Sequence, residues 1–185
     1  IETVDLEAAY LQSIWPYDEN APETECFAGV PDELQKFLPE EVQNVQGFER
    51  PLWRLMRPGY GHPASGHIWC ETFRKWLLHT GWTQVGRPGK GCLFQKDKMM
   101  LASYVDDVKL AGPPDQMKAF WKELGGDVEE GLVGVKVEKG RFTWKAKPET
   151  LTEFLGAGYT RFKETRDGIE MDVLHIDLEN YIQAT

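Results

Sequence analysis

Two adjacent acids interrupt the most apolar stretch of the chain. Met99-Met100-Leu101-Ala102-Ser103-Tyr104-Val105 leads into Asp106-Asp107, and Val108-Lys109-Leu110-Ala111-Gly112 leads out. Apolar runs of this length on both sides of a polar pair read as two strands and the turn between them. The chain is thereby constrained to an antiparallel hairpin whose tip carries two carboxylates. Burying carboxylates without a partner is costly, so the pair either stays solvated, the commoner state of adjacent acids at a turn, or needs a counter-charge. A divalent cation, which takes hard oxygen ligands, meets that need. Asp5 ends the first strand-like segment, just before a helical one, and is the natural third ligand.

The rest of the chain alternates strand and helix signals. Residues 2–6 read as a short strand and Ala8–Leu11 as helical. From Pro16 to Pro51 runs an acidic, Pro-rich insert. A short helix is expected within it over 32–37, with Asp32 as N-cap and Leu34 and Phe37 facing inward. Ile68, Trp69, Phe73, Trp76 and Leu77 recur at helical spacing, which predicts a helix over 65–80 stopped by Gly81. Cys92-Leu93-Phe94 reads as another strand. Pro113-Pro114-Asp115 opens a second amphipathic helix through Met117, Phe120, Trp121 and Leu124. Leu132–Val137 and Arg141–Trp144 flank Glu138-Lys139-Gly140, a hairpin signal. Pro148 predicts a short helix carrying Leu151, Phe154 and Leu155. Tyr159–Lys163 and Ile169–Ile176 read as a strand pair, and Asp177 as the cap of a last helix. This order predicts an α+β chain, a single domain over 1–185, built as a split βαβ antiparallel sheet with helices on one face.

Composition narrows the function classes. A chain of 185 residues that is 41% hydrophobic and 12% aromatic buries a real core rather than remaining disordered. No apolar run reaches the roughly 20 residues that span a bilayer, so no membrane span is expected. Glu2, Asp5 and Glu7 stand where a signal peptide would carry basic and then apolar residues. Ile1 opens directly into a strand-like segment and Thr185 falls in a helix-like one, as expected of a piece of a longer chain. Three scattered cysteines (Cys26, Cys70, Cys92) give no disulfide framework and point to a reducing, intracellular compartment. His62, His67 and Cys70 have metal-like spacing but no fourth ligand nearby, so ordinary loop and core roles are expected of them. A net charge of −9 argues against generic nucleic-acid binding, but the total hides the distribution. Residues 18–49 carry nine acids against one lysine, whereas residues 50–125, which hold the Asp pair, carry twelve basic and six acidic residues.

Several segments together resemble the reverse transcriptase of copia-type (Ty1/copia) retrotransposon polyproteins, over most of the chain. Val4-Asp5-Leu6-Glu7-Ala8-Ala9-Tyr10-Leu11 is similar to the first palm motif of that family. Pro51-Leu52-Trp53-Arg54-Leu55, then Tyr60-Gly61 and Trp69, is similar to its next segment. Gly81-Trp82 and Cys92-Leu93-Phe94 resemble the run into the catalytic hairpin, and Tyr104-Val105-Asp106-Asp107 resembles the hairpin itself. Leu132-Val133-Gly134-Val135 resembles a later strand and Asp177–Ala184 a terminal helix. The resemblance implies a polymerase palm with two-metal nucleotidyl transfer. It implies Asp5, Asp106 and Asp107 as catalytic ligands of Mg²⁺ (or Mn²⁺), Tyr10 as the residue that senses the sugar 2′ position, and Tyr104 and Val105 beside the primer end and nucleotide. Its partners would be an RNA template-primer and a deoxynucleoside triphosphate. Tyr10 reads equally well as a core residue on a helix face.

The chain departs from the family in ways that keep a second class open. The family places Gln three residues after the Tyr-Gly glycine; here Tyr60-Gly61 is followed by His62-Pro63-Ala64, and Ala64 takes that position. No motif forces a cation beside a triphosphate, although Arg54, Arg57 and Arg74 are available. The basic fingers, a thumb of useful size, the integrase and the RNase H of the family lie outside these residues. The alternative is a domesticated, non-catalytic palm-like subunit whose partners are proteins of a larger assembly, where its many aromatics would suit an interface. An unrelated α+β binding module with chance acids is the remaining reading.

Overall fold

The computed structural model describes residues 1–16, 25–40, 52–86, 91–125, 142–145, 147–179 and 182. The chain is mixed α+β, with mostly antiparallel sheets and few helices. It divides into two compact units, Ile1–Ala9 with Phe73–Thr185, and Tyr10–Thr72.

The first unit is organised by a six-stranded sheet. Its strands are β1 (Glu2–Asp5), β4 (Thr83–Gln84), β5 (Leu93–Lys96), β6 (Met99–Tyr104), β7 (Asp107–Ala111) and β8 (Glu149–Thr150), in the order β4-β5-β6-β7-β1-β8. Every neighbouring pair is antiparallel. Strand period two sends alternate side chains to one face, and Val4, Leu101, Val108 and Leu110 are all buried there. The helix α3 (Pro114–Gly125) buries Met117, Phe120, Trp121 and Leu124. Its Trp121 Nε1 donates to the Glu2 carboxylate of β1. The helix α2 (Ser65–His79) enters this unit at Phe73, and Trp76 packs against Phe120 with ring centroids 6.1 Å apart. Phe142 joins the cluster, 5.3 Å from Phe73. Each such ring contributes about 1.5–3 kcal/mol by burial, and each good ring pair about 0.5–1.5 kcal/mol more. Helix α2 stops where the sequence predicts. Gly81 takes φ +89°, its N–H donates to the Leu78 carbonyl, and the Trp82 N–H donates to the Leu77 carbonyl. That pair of bonds is a Schellman cap, and glycine adopts its left-handed position without a Cβ clash.

A second sheet in this unit has the order β11-β10-β9, from β9 (Glu153–Phe154), β10 (Ala157–Arg166) and β11 (Ile169–Asp177). The expected strand pair near 159–176 is therefore present and longer than its apolar pattern. Asp177 accepts from the Glu179 N–H at 2.8 Å, in keeping with a cap. The expected helix after Pro148 is not formed. Glu149–Thr150 and Glu153–Phe154 are short strands instead, because the edges of β1 and β10 offer ladder partners that a helix would leave unpaired. Leu151, Phe154 and Leu155 have helical spacing, but only Leu151 is buried.

The second unit pairs β2 (Phe27–Gly29) with β3 (Leu52–Arg54) and contains the short helix α1 (Asp32–Gln35). Two expectations for α1 fail. Pro31 is the N-cap and Asp32 the first helical residue, its Oδ1 accepting from Gln35 Nε2. Leu34 and Phe37 are exposed rather than inward, because one helical turn beside a two-stranded ribbon provides no core to receive them. The expected strand Leu132–Val137 and most of the expected last helix lie outside the described residues.

Candidate functional site

The tip of the β6–β7 hairpin is closed by the pair Tyr104↔Asp107, which leaves Val105 and Asp106 as the two-residue turn, one residue before the expected Asp106-Asp107, and places Asp107 in β7. Val105 has φ +54°. A β-branched residue in that region is strained, by about 1–3 kcal/mol, and persists only where its surroundings over-determine it. The surroundings are visible. Leu6 N–H donates to the Asp106 carbonyl at 2.8 Å, and Asp5 pairs with Asp107 in the β1–β7 ladder. The end of β1 is thus stitched to the turn, and the three acids share one end of the sheet.

The other edge of β1 is held by residues 143–145. Glu7 N–H donates to the Thr143 carbonyl at 2.9 Å, Lys145 N–H donates to the Asp5 carbonyl at 2.8 Å, and Leu6 bridges Trp144. Leu6 and Trp144 are both buried. A Cβ on Gly125 would lie 2.7 Å from the Trp144 ring, so only glycine lets α3 approach that ring. With Leu6 and Trp144 inward, strand alternation turns Asp5 and Lys145 to the opposite face. There Lys145 Nζ donates to Asp5 Oδ2 at 2.9 Å.

The charges of the site act on one another. Partial burial pushes the Asp107 carboxyl above its ordinary range, and the negative charges of Asp106 and Asp5 push it further, against the opposing pull of Lys145. The hydrogen bond to Asp5 raises the Lys145 ammonium above its ordinary value, followed by the charges of Asp5, Asp106 and Asp107. One ammonium therefore answers three carboxylates. Oxygen donors of this kind suit a hard divalent cation. As they stand, however, no group of three His, Cys, Asp or Glu side chains among the described residues is placed to hold a metal ion.

The other expected site residues are distributed as follows. Tyr104, 59% exposed, and Val105 sit on the hairpin tip with the acids. Tyr10 belongs to the second unit, half-buried in a 3-10 turn (Ala9–Gln12), with its ring centroid 4.9 Å from that of Tyr60. His62, His67 and Cys70 do not form a ligand set. His62 faces Cys26 (Nε2 to Sγ 3.6 Å) and the edge of Trp15, and its Nδ1 accepts from the Ala64 N–H. His67 and Cys70 are exposed. Among the described residues, no helix is long and apolar enough to cross a membrane.

The sequence reading missed Lys145. Its signal was the period-two run Phe142-Thr143-Trp144-Lys145, which puts both rings on one face and the lysine on the other. That this run pairs with the edge of β1 beside Asp5 was not readable from local pattern. No family model, curated protein or solved structure matches the chain.

Proposed function

We propose that the chain is the palm of an RNA-directed DNA polymerase of copia type. The observation that carries the reading is the pairing of Asp5 with Asp107 beside the Asp106 turn, which brings the three acids named from sequence to one end of one sheet. The strand order supports it. β1 and β6 run in the same direction on either side of β7, with α2 between them in sequence, and α3 connects β7 to β8. A palm-like split βαβ sheet needs that arrangement.

In this reading the reaction is attack of a primer 3′-hydroxyl on the α-phosphate of a deoxynucleoside triphosphate, with loss of pyrophosphate. Magnesium ions bound at the carboxylates would activate the hydroxyl and neutralise the triphosphate. Asp5, Asp106 and Asp107 would be the groups that hold them. The Val105 turn fixes Asp106 at the tip. Asp107, whose carboxyl is raised above its ordinary range by partial burial and by the charges of Asp106 and Asp5, would be weakened as a ligand as pH falls. Arg54 and Arg57 are committed within the second unit, Arg54 to Glu25 and Arg57 to the carbonyls of Leu11 and Ser13. Phosphate contacts, which dominate template affinity, would then come from other cations.

Primer extension on an RNA template in Mg²⁺, with this chain and with the full product of its gene, tests the proposal. The full product should extend the primer, and Asp106→Asn/Asp107→Asn should lower the rate by about 10²-fold or more. Extension by neither protein would favour the second reading, a non-catalytic palm-like subunit of a larger assembly. That reading is favoured by the lysine seated on Asp5, which partly balances the acids without a metal.

A further inference from the structure

We propose that Lys145 is a tethered cation that occupies the carboxylate site and sets its affinity for divalent metal. The inference rests on the polymerase-palm reading only in taking the three acids as a metal site.

The lysine is held in place by the fold. Its own N–H is bonded to the Asp5 carbonyl, Thr143 is bonded to Glu7, and the buried Trp144 between them bridges Leu6 and packs on Gly125. Four backbone and packing constraints thus place its Cα beside Asp5, whatever rotamer the side chain adopts. From that point the ammonium reaches Asp5 Oδ2 at 2.9 Å. Asp107, Asp5 and Lys145 form a row across β7, β1 and the bridged segment at 143–145, with Asp106 on the adjoining turn. Two like-charged residues directly opposite in a ladder are destabilising, and Asp5↔Asp107 is such a pair. A cation at the end of the row relieves it.

The same geometry makes the lysine replaceable. Its side chain is 70% exposed and that of Asp5 37%. Exposed ion pairs of this kind are weak, and the flexible stem can carry the ammonium into water. A divalent ion carries twice the charge and accepts several oxygens at once. It would displace the ammonium from Asp5 once its concentration is high enough. Lys145 therefore acts as a placeholder: it balances the acids when metal is scarce and raises the concentration at which metal enters.

Mn²⁺ alone, titrated by electron paramagnetic resonance into the full 185-residue chain and its variants, gives the test. Lys145→Met should bind Mn²⁺ about three- to tenfold more tightly than the wild type. Lys145→Arg, which keeps the charge, should stay near the wild type. In the wild type, acylation of Lys145 by an amine-reactive ester, read by mass spectrometry, should rise as Mn²⁺ is added. Equal Mn²⁺ affinity in Lys145→Met and wild type, or an equal gain in Lys145→Arg and Lys145→Met, overturns the lysine's role and leaves the metal site standing. If neither the wild type nor Lys145→Met binds Mn²⁺ while near-ultraviolet circular dichroism shows both folded, the metal site falls, and the placeholder with it.

Discussion

Two hairpins of the first unit are built by opposite means. In β10–β11 the turn is Asp167-Gly168, with φ +53° and +78°. Both residues are good at positive φ, and a two-residue turn of that kind matches the twist of the strands it joins. Nine residue pairs follow, most of them exposed. The β6–β7 hairpin has five pairs and a turn, Val105-Asp106, in which a β-branched residue takes φ +54°. Local chemistry favours the first turn and opposes the second. The second persists because Leu101, Val108 and Leu110 are anchored in the core and β1 bonds to the turn itself. One hairpin is made by its turn. The other is made by its strands, and the strain falls at the acids.

The largest effect expected from this contrast is in packing. Leu110→Ala should lower unfolding stability by about 2–5 kcal/mol, because Leu110 is fully buried at 0% exposure. Leu174→Ala, on a side chain 38% exposed, should cost less than about 1 kcal/mol. Urea unfolding of the two variants checks this, and equal losses would break the comparison.

The turns should respond with opposite signs. Gly168→Val should destabilise by about 1–2 kcal/mol, since it puts a Cβ where φ is +78°. Val105→Gly should stabilise by up to about 1 kcal/mol through release of strain. Thermal unfolding of the pair reads both, and a loss of stability in Val105→Gly would show that the turn is not strained.

The smallest effect is in pH dependence. The Asp107 carboxyl is raised above 3.8, so the folded state holds its proton more tightly than the unfolded chain. Stability should therefore fall as pH rises from the ordinary carboxylate value through the raised one, and Asp107→Asn should remove that slope. In the other hairpin, hydrogen bonds to Asp172 and Glu170 raise Lys163 above 10.5. Its contribution is present below the ordinary lysine value and is lost only as pH rises through the raised one. Because Lys163 is exposed and its ion pairs are screened by solvent, it should be the harder of the two to detect. Acid and alkaline unfolding titrations of Asp107→Asn and Lys163→Met separate them.

Much of this fold is written locally. The apolar strands flanking the Asp pair, the helical spacing from Trp69 to Leu77 and the Gly81 stop each act within a few residues, and each is found where the pattern puts it, although the first hairpin turns at Val105-Asp106, one residue before the expected Asp106-Asp107. The readings that failed depended on partners. Leu151, Phe154 and Leu155 have helical spacing, yet open strand edges claimed residues 149–150 and 153–154. Leu34 and Phe37 have an inward spacing but no core to enter. In the candidate site, Asp106 and Asp107 are adjacent in the chain, so the sequence brings them together, and it names Asp5 as their third. That Asp5 faces Asp107 in register, that Val105 yields its backbone to the turn, and that Lys145 reaches Asp5 across 140 residues are tertiary facts. Periodicity decides which face a side chain takes. Only the pairing of strands decides which charge stands opposite it, because pairing depends on edges supplied by distant segments.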